Sequence, residues 1–416
     1  MSTVGLTVHR GTNQIGGNCI EIAVEGHRII LDVGRPLDVP PKATGLLPVT
    51  LDRTAPAHVL ISHPHQDHWG LVDEVPAEWT IHCGAAAEKL IRLTAGLTGK
   101  PVERKIMTWT SGVPVKIGPF TVTPILTDHS AFDAHMLLIE VAGKRILYSG
   151  DFRRHGRKGK LVERLITSPP VKVDVLLMEG TNLGTSKPTI SEDQLEAEFQ
   201  RLFLDTPGRV FVSWSAQNID RTVTLYRACL KAHRHLVVDL YTAEVLTMLA
   251  DHAKIPQPSG DSPNLKVVIT SAFARLYRMK GRGGFVARMA QSRFGISARK
   301  LAERPERWVI MVRPSLIRDY RRIGVSPTAD DAWSWSMWQG YLSGEDAQGL
   351  QAWFDVASAT VRHLHTSGHA SVADLRTFAA AINPAVLIPI HGVAWDGDVV
   401  GFPPIRRLAD GETVVI

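Results

Sequence analysis

Apolar residues in the first 180 positions come in short runs broken by Gly and Pro. Residues 4–8, 19–24, 28–31, 59–61, 120–126, 136–141, 145–148 and 173–178 each read as a strand. Helical patterns between them are few, with 85–93 one candidate. Many strands with few helices predict a sheet-on-sheet core.

The pattern changes after Gly180. Ser191 and Gln194 have capping-box spacing ahead of a helical run to Leu204. Strand-like 209–212, helix-like 219–231, strand-like 236–240 and helix-like 243–250 follow, the alternation of a separate α/β domain. Residues 256–263, rich in Pro, Ser, Gly and Asp, read as a loop. Near the end come a strand at 361–364, a helix at 372–382 that starts from Ser371, and an apolar strand at 385–390. Histidines at these strand ends resemble those of the first segment. The C-terminal part is therefore expected to complete the first domain, giving 1–188 and 356–416 as one split domain and 189–355 as an insertion.

The chain has 416 residues, 44% hydrophobic and 21% charged, enough to bury a sizeable core. Its N-terminus lacks a charged segment followed by a long apolar one, so no signal peptide is expected. No stretch approaches the length of a membrane span. The three cysteines form no C-x-x-C pair, which argues against a disulfide framework. The expectation is a soluble cytoplasmic protein without membrane attachment. A net charge of +6 says little until its distribution is read. Between Arg275 and Arg307 ten Lys or Arg face two Glu, a net of +8. A second basic cluster, Arg153 to Lys160, follows closely after Asp151.

Candidate chemistry concentrates in His63-Pro64-His65-Gln66-Asp67-His68, which follows the buried-strand pattern His58-Val59-Leu60-Ile61. Imidazole nitrogen and carboxylate oxygen are the ligands that zinc, manganese and iron accept. Residues two apart in an extended segment project to the same side, so His63 and His65 can converge on one metal. Asp67 and His68 lie past the turn and can point at a second. Two metals close together suit hydrolysis of a phosphodiester or an amide, because they hold both attacking and leaving oxygens. Further candidates stand just past apolar strands: His129 after 120–126, Asp151 after 145–148 and His391 after 385–390. Asp32, after 28–31, belongs to the same class and is read as orienting a ligand rather than binding metal.

The ordered set His63-x-His65-x-Asp67-His68, His129, Asp151, His391 resembles the metallo-β-lactamase superfamily. Gly11 to Asn18 and Leu31-Asp32-Val33-Gly34 resemble the opening strands of its nucleic-acid branch. Glu179-Gly180-Thr181-Asn182, Ser367-Gly368-His369 and Pro389-Ile390-His391-Gly392 resemble three motifs of its β-CASP group, and the ordering is most similar to the ribonuclease J family within it. The resemblance implies an αββα sandwich with an inserted α/β β-CASP domain. It implies two zinc ions, with manganese able to fill the same ligands. His63, His65 and His129 would hold one ion and Asp67, His68 and His391 the other, with Asp151 bridging. A hydroxide between the metals would attack phosphorus in single-stranded RNA, from a 5′ end or internally. Asp32 and Glu179 would support the ligands. His369 would contact the scissile phosphate and help protonate the leaving oxygen, with His365 and Ser367 holding phosphate nearby. Ser215, Asn218 and Arg221, in a turn that opens a helix, could hold a phosphate or serve as an ordinary helix cap. The run Trp333-Ser334-Trp335-Ser336-Met337-Trp338-Gln339-Gly340-Tyr341 is either a base-stacking platform or an aromatic core. The chain stops about 25 residues after His391, short of the further domain that helps ribonuclease J oligomerise, so self-association stays open. A DNA-cutting β-CASP nuclease, a small-molecule hydrolase on the same dinuclear core, and a non-catalytic RNA-binding subunit are the alternatives.

Overall fold

The computed structural model describes residues 2–40, 42–186, 189–397 and 399–416. The chain divides into two units, Met1–Thr189 with Gly368–Ile416, and Ile190–Ser367. The expected boundary at Pro188 lies outside the described residues. The expected boundary after 355 is corrected to Ser367. Thr360–His363 is a strand paired in parallel with Ala332–Trp335, so it belongs to the insertion and not to the returning C-terminal segment.

The first unit contains two sheets. One runs Thr413–Val415, Gly5–Arg10, Cys19–Val24, His27–Leu31, His58–Leu60, Thr80–Gly84, Ile106–Trp109. The other runs Val386–Pro389, Val175–Met178, Lys144–Tyr148, His135–Val141, Phe120–Leu126, Val115–Ile117. Neighbouring residues of these strands enter different cores. Ile29, Leu31, Ile146, Tyr148, Val175 and Leu177 meet between the sheets. Ile30 packs on the outer side with Ala87 and Ile91 of the helix Ala85–Thr98. Leu147, Leu176 and Met178 pack on the other outer side with Phe378 of the helix Val372–Ile382. A strand buried on both faces needs no polar alternate positions, which explains the continuous apolar runs in the sequence. The product is a four-layer αββα sandwich. The C-terminal segment completes both sheets, Val386–Pro389 pairing with Val175–Met178 and Thr413–Val415 with Gly5–Arg10. Thr80–Gly84, Ile106–Trp109 and Thr413–Val415 are strands the sequence pattern did not reveal.

The second unit is an α/β domain on a seven-stranded sheet paired in parallel throughout. Its order is Gly295–Ser297, Leu265–Ile269, His235–Val238, Trp308–Met311, Val210–Ser213, Ala332–Trp335, Thr360–His363. The Ser191–Gln194 capping box closes in both directions at the start of Glu192–Asp205. The aromatic run divides. Trp333 and Trp335 are core, with Trp333 stacked on Phe354 at 4.9 Å between ring centroids. Trp338 and Tyr341 are more than half exposed and meet edge to face. Trp333→Ala should therefore destabilise the protein by about 3–5 kcal/mol, the usual cost of emptying a large aromatic site, as read by denaturant unfolding. Trp338→Ala should have no comparable effect.

Among the described residues no helix is long and apolar enough to cross a membrane. Cys19, Cys83 and Cys229 are buried free thiols.

Candidate metal centre

All the candidate metal ligands belong to the first unit. The strand His58–Leu60 ends just before His63, and Gln66–Trp69 forms a single helical turn directly after it. Backbone bonds from the Asp32 loop fix that turn: Val33 N donates to His68 O at 2.8 Å and Arg35 N to Gln66 O at 3.0 Å. Gly17 N donates to Asp67 O at 3.0 Å. A Cβ on Gly34 would strike the Asp67 carbonyl, so the loop passes the turn only because that residue is glycine. The two glycine-bearing segments at the start of the chain are thus the scaffold of the histidine motif.

The structure brings the separated residues together in overlapping groups. His63, His65 and His129 have ligand atoms within 4.8 Å of one another, as do Asp67, His68, Asp151 and His391. Asp151 reaches both groups, its Oδ2 lying 3.1 Å from His68 Nε2, 3.6 Å from His63 Nε2 and 4.0 Å from His129 Nε2. Its Oδ1 is 3.7 Å from His391 Nδ1, and Asp67 Oδ2 is 3.5 Å from His391 Nε2.

Four of the rings are each oriented by a partner on the other nitrogen. His68 Nδ1 lies 2.7 Å from Asp32 Oδ2, His63 Nδ1 3.0 Å from Ser62 Oγ, His391 Nδ1 2.8 Å from Thr181 Oγ1, and His129 Nδ1 2.6 Å from Gly368 O. These four rings turn Nε2 inward, whereas His65 presents Nδ1, 3.2 Å from His129 Nε2. Asp32 is itself held by Ser62 N at 2.7 Å, Ser62 Oγ at 2.8 Å and the Tyr148 hydroxyl at 2.5 Å. Ser62, Tyr148, Thr181 and the Gly368 carbonyl were not found from the sequence. Ser62 adjoins the motif, and Thr181 and Gly368 stand within two of the other quoted motifs, but nothing in the sequence marks them as partners of these rings or Tyr148 as the partner of Asp32.

The donor set fits metal. Burial and neighbouring imidazoles push His63 and His129 well below the ordinary histidine range, and burial takes His65 down to about 4, so all three are neutral and able to coordinate. Burial would raise Asp67, but His68 and His391 hold it at about 2. Asp151 is ionised too, held well below the ordinary range against its burial by His391 and His68. His63 Nε2, His391 Nε2 and Asp151 Oδ1 are buried without a hydrogen-bond partner. Unpaired buried polar atoms of this kind are costly, and cations between them would satisfy them.

A further pair adjoins this centre. His369 Nδ1 lies 2.9 Å from Glu179 Oε2, and Glu179 is fixed by Phe152 N at 3.0 Å. His369 is 20% exposed, whereas Glu179 is fully buried. Burial disfavours the imidazolium, but Glu179 and Asp151 outweigh it and raise His369 to about 9.

The phosphate candidates Ser215, Asn218, Arg221, His365 and Ser367 lie in the second unit. Asn218 caps the helix Ile219–Lys231 through Arg221 N at 3.0 Å. Arg221 as a phosphate ligand is corrected. It is fully buried, paired with Glu192 at 3.3 Å and donating to Ser336 O at 3.0 Å, so its guanidinium is committed to the fold. Burial and Arg221 lower His365 to about 3, which leaves it neutral. Ser215 is exposed.

Comparison with known proteins agrees with this architecture. The family model of the metallo-beta-lactamase superfamily matches residues 12–212, and that of the Zn-dependent metallo-hydrolase RNA specificity domain matches 356–394. Ribonuclease J of Helicobacter pylori is 23% identical over 421 residues, covering 94% of this chain and 56% of that protein. Ribonuclease J 1 of Streptococcus pyogenes is 22% identical over 406 residues, covering 94% and 68%. The chain thus spans little more than half the length of the Helicobacter relative. A solved structure from Enterococcus faecalis, described as a protein of unknown function, shares the fold with a TM-score of 0.79 at 19% identity, covering both chains fully. The chain carries a metallo-β-lactamase superfamily domain over residues 12–212 and is similar to ribonuclease J proteins, of the β-CASP group, over most of its length.

Proposed function

We propose that this protein is a metal-dependent ribonuclease that hydrolyses phosphodiesters of single-stranded RNA, acting from a 5′ end or internally. The observation that carries this reading is the pair of ligand groups joined through Asp151. His63, His65 and His129 would hold one zinc, and Asp67, His68 and His391 a second, with Asp151 shared; manganese suits the same donors. Bound there, the two ions would activate water and neutralise charge on the phosphate. Asp32, Ser62, Thr181 and the Gly368 carbonyl orient the imidazoles. Glu179 holds His369 through Nδ1, and the ring would meet the phosphate and donate a proton to the leaving oxygen. The Helicobacter and Streptococcus relatives are named ribonuclease J, and the matched C-terminal model is described as an RNA specificity domain, which supports RNA over the small-molecule alternative.

The test is a 3′-labelled, 5′-monophosphorylated RNA incubated with zinc- or manganese-loaded protein, with Asp67→Ala as control. Metal-dependent cleavage lost in the variant supports the reading, and product lengths separate end trimming from internal cutting. A matched DNA strand tests the DNA alternative. Absence of cleavage by protein that holds two metals would overturn the ribonuclease reading.

The basic segment bears on binding. Arg275, Arg278, Lys280, Arg288, Arg299 and Lys300 are exposed and make no ion pair among the described residues, whereas Arg282 pairs with Glu244 and Arg304 with Glu306. Joint replacement of Arg275, Arg278 and Lys280 by Ala should weaken RNA binding at low salt. It should also reduce the slope of log K against log salt by about 0.7 for each phosphate no longer neutralised. Fluorescence anisotropy across a salt series reads both. An unchanged slope would remove this face from the RNA path.

A further inference from the structure

Asp128 and Arg153 form an ion pair with both side chains fully buried, and neither has a role in the reading above. Asp128 immediately precedes His129, and Arg153 stands two residues after Asp151. Arg153 Nε is 3.5 Å from Asp128 Oδ1. The backbone closes the same connection: Arg153 N donates to Asp128 O at 2.7 Å, and Gly156 N donates to Asp128 Oδ2 at 2.7 Å. The chain from Asp151 to Gly156 therefore wraps around the Asp128 carboxylate. A Cβ on Gly156 would collide with both the Asp128 and the Arg153 side chains, so the wrap closes only around a glycine.

The two candidate ligands beside this cluster leave strands that are not neighbours. Phe120–Leu126 and Lys144–Tyr148 are separated in the sheet by His135–Val141. Strand pairing alone thus leaves the loops that carry His129 and Asp151 without a direct tie. A buried ion pair is a poor device for stability as such, because desolvation offsets most of its attraction. Placed where two ligand-bearing loops meet, it is well suited to fixing a distance.

We infer that the Asp128–Arg153–Gly156 cluster is a positioning device for the metal centre, setting His129 against Asp151 so that the two ligand groups share one carboxylate. The inference rests on the metal-centre reading. Asp128 and Arg153 are positioning residues, acting through the ligands and not on substrate.

The experiment titrates metal-free protein with zinc by calorimetry and records the visible spectrum of the cobalt(II)-loaded form. Asp128→Asn and Gly156→Ala should each weaken metal binding by about 10- to 100-fold, the range for groups that orient ligands, and should alter the cobalt bands. Arg153→Lys should recover part of the affinity that Arg153→Met loses. Melting of the metal-free forms reads any purely structural contribution separately. Should Arg153→Met fail to fold, Asp128→Asn and Gly156→Ala decide the matter, because both keep the buried arginine. Folded variants that bind zinc as tightly as the parent, with an unchanged cobalt spectrum, would overturn the inference. A parent protein that takes up no metal would overturn the metal-centre reading and this inference with it, and that outcome shows before any variant is made.

Discussion

Asp151→Asn is expected to lower metal-dependent cleavage by at least about a thousandfold and to reduce the metal content of the protein. Asp151 is the carboxylate that reaches both ligand groups, lying within 4.0 Å of His68, His63 and His129 through one oxygen and of His391 through the other. Asparagine keeps the size and much of the hydrogen bonding but removes the charge that two cations would share. Several kcal/mol of charge stabilisation at a metal centre, about 4, corresponds to roughly a thousandfold in rate. Packing should survive, because the change is isosteric. Single-turnover cleavage together with elemental analysis checks both parts. Full activity with two metals retained would show that the two groups do not work through this residue.

His369→Ala is expected to behave differently, losing about 10² to 10⁴ in kcat while keeping its metals, as fits a proton donor that is not a ligand. Glu179→Gln separates the role of the pair from that of the ring. In the metal-free protein burial opposes protonation of His369, but Glu179 and Asp151 raise it to about 9. Removing the Glu179 charge should move it back towards the ordinary value near 6.5. The sign follows from the role. A general acid works only while protonated, so activity falls as pH rises through its pKa, and that alkaline limb should begin at lower pH in Glu179→Gln than in the parent. A pH series of kcat, with an NMR titration of the histidines in metal-free protein, tests the shift. A Glu179→Gln limb unchanged from that of the parent would take the proton-donor role away from His369. Loss of metal in His369→Ala would instead make it a ligand, a role its place beside Asp151 and His391 permits geometrically.

The sequence by itself determined a good deal. The six-residue histidine motif exposed the chemistry because several ligand-type side chains crowd into one short segment. Continuous apolar runs marked strands buried on both faces, and the Ser191 capping box and the span Ile219–Lys231 were legible because helix caps and helical periodicity are local. The nesting of one domain inside another followed from strand-end histidines recurring after the α/β segment.

Tertiary structure decided what depends on residues far apart in the chain. Thr80–Gly84, Ile106–Trp109 and Thr413–Val415 take their places through pairing with neighbouring strands. Thr360–His363 reads like a strand of either unit, and its pairing with Ala332–Trp335 assigns it to the insertion. Trp333 and Trp338 look alike in one aromatic run, yet one stacks on Phe354 and the other faces solvent, because a single strand end separates them. Arg221 looked available in a helix-opening turn, but Glu192, distant in sequence, draws it into the interior. Tyr148, which holds Asp32, the ring partners Thr181 and Gly368, and the Asp128–Arg153 pair take these places only when folding brings them beside the ligands. Residue type fixes which atoms can bind a metal. Only the packing of two sheets fixes which of those atoms meet, because convergence on one point is a property of distances that the order of residues along a chain does not contain.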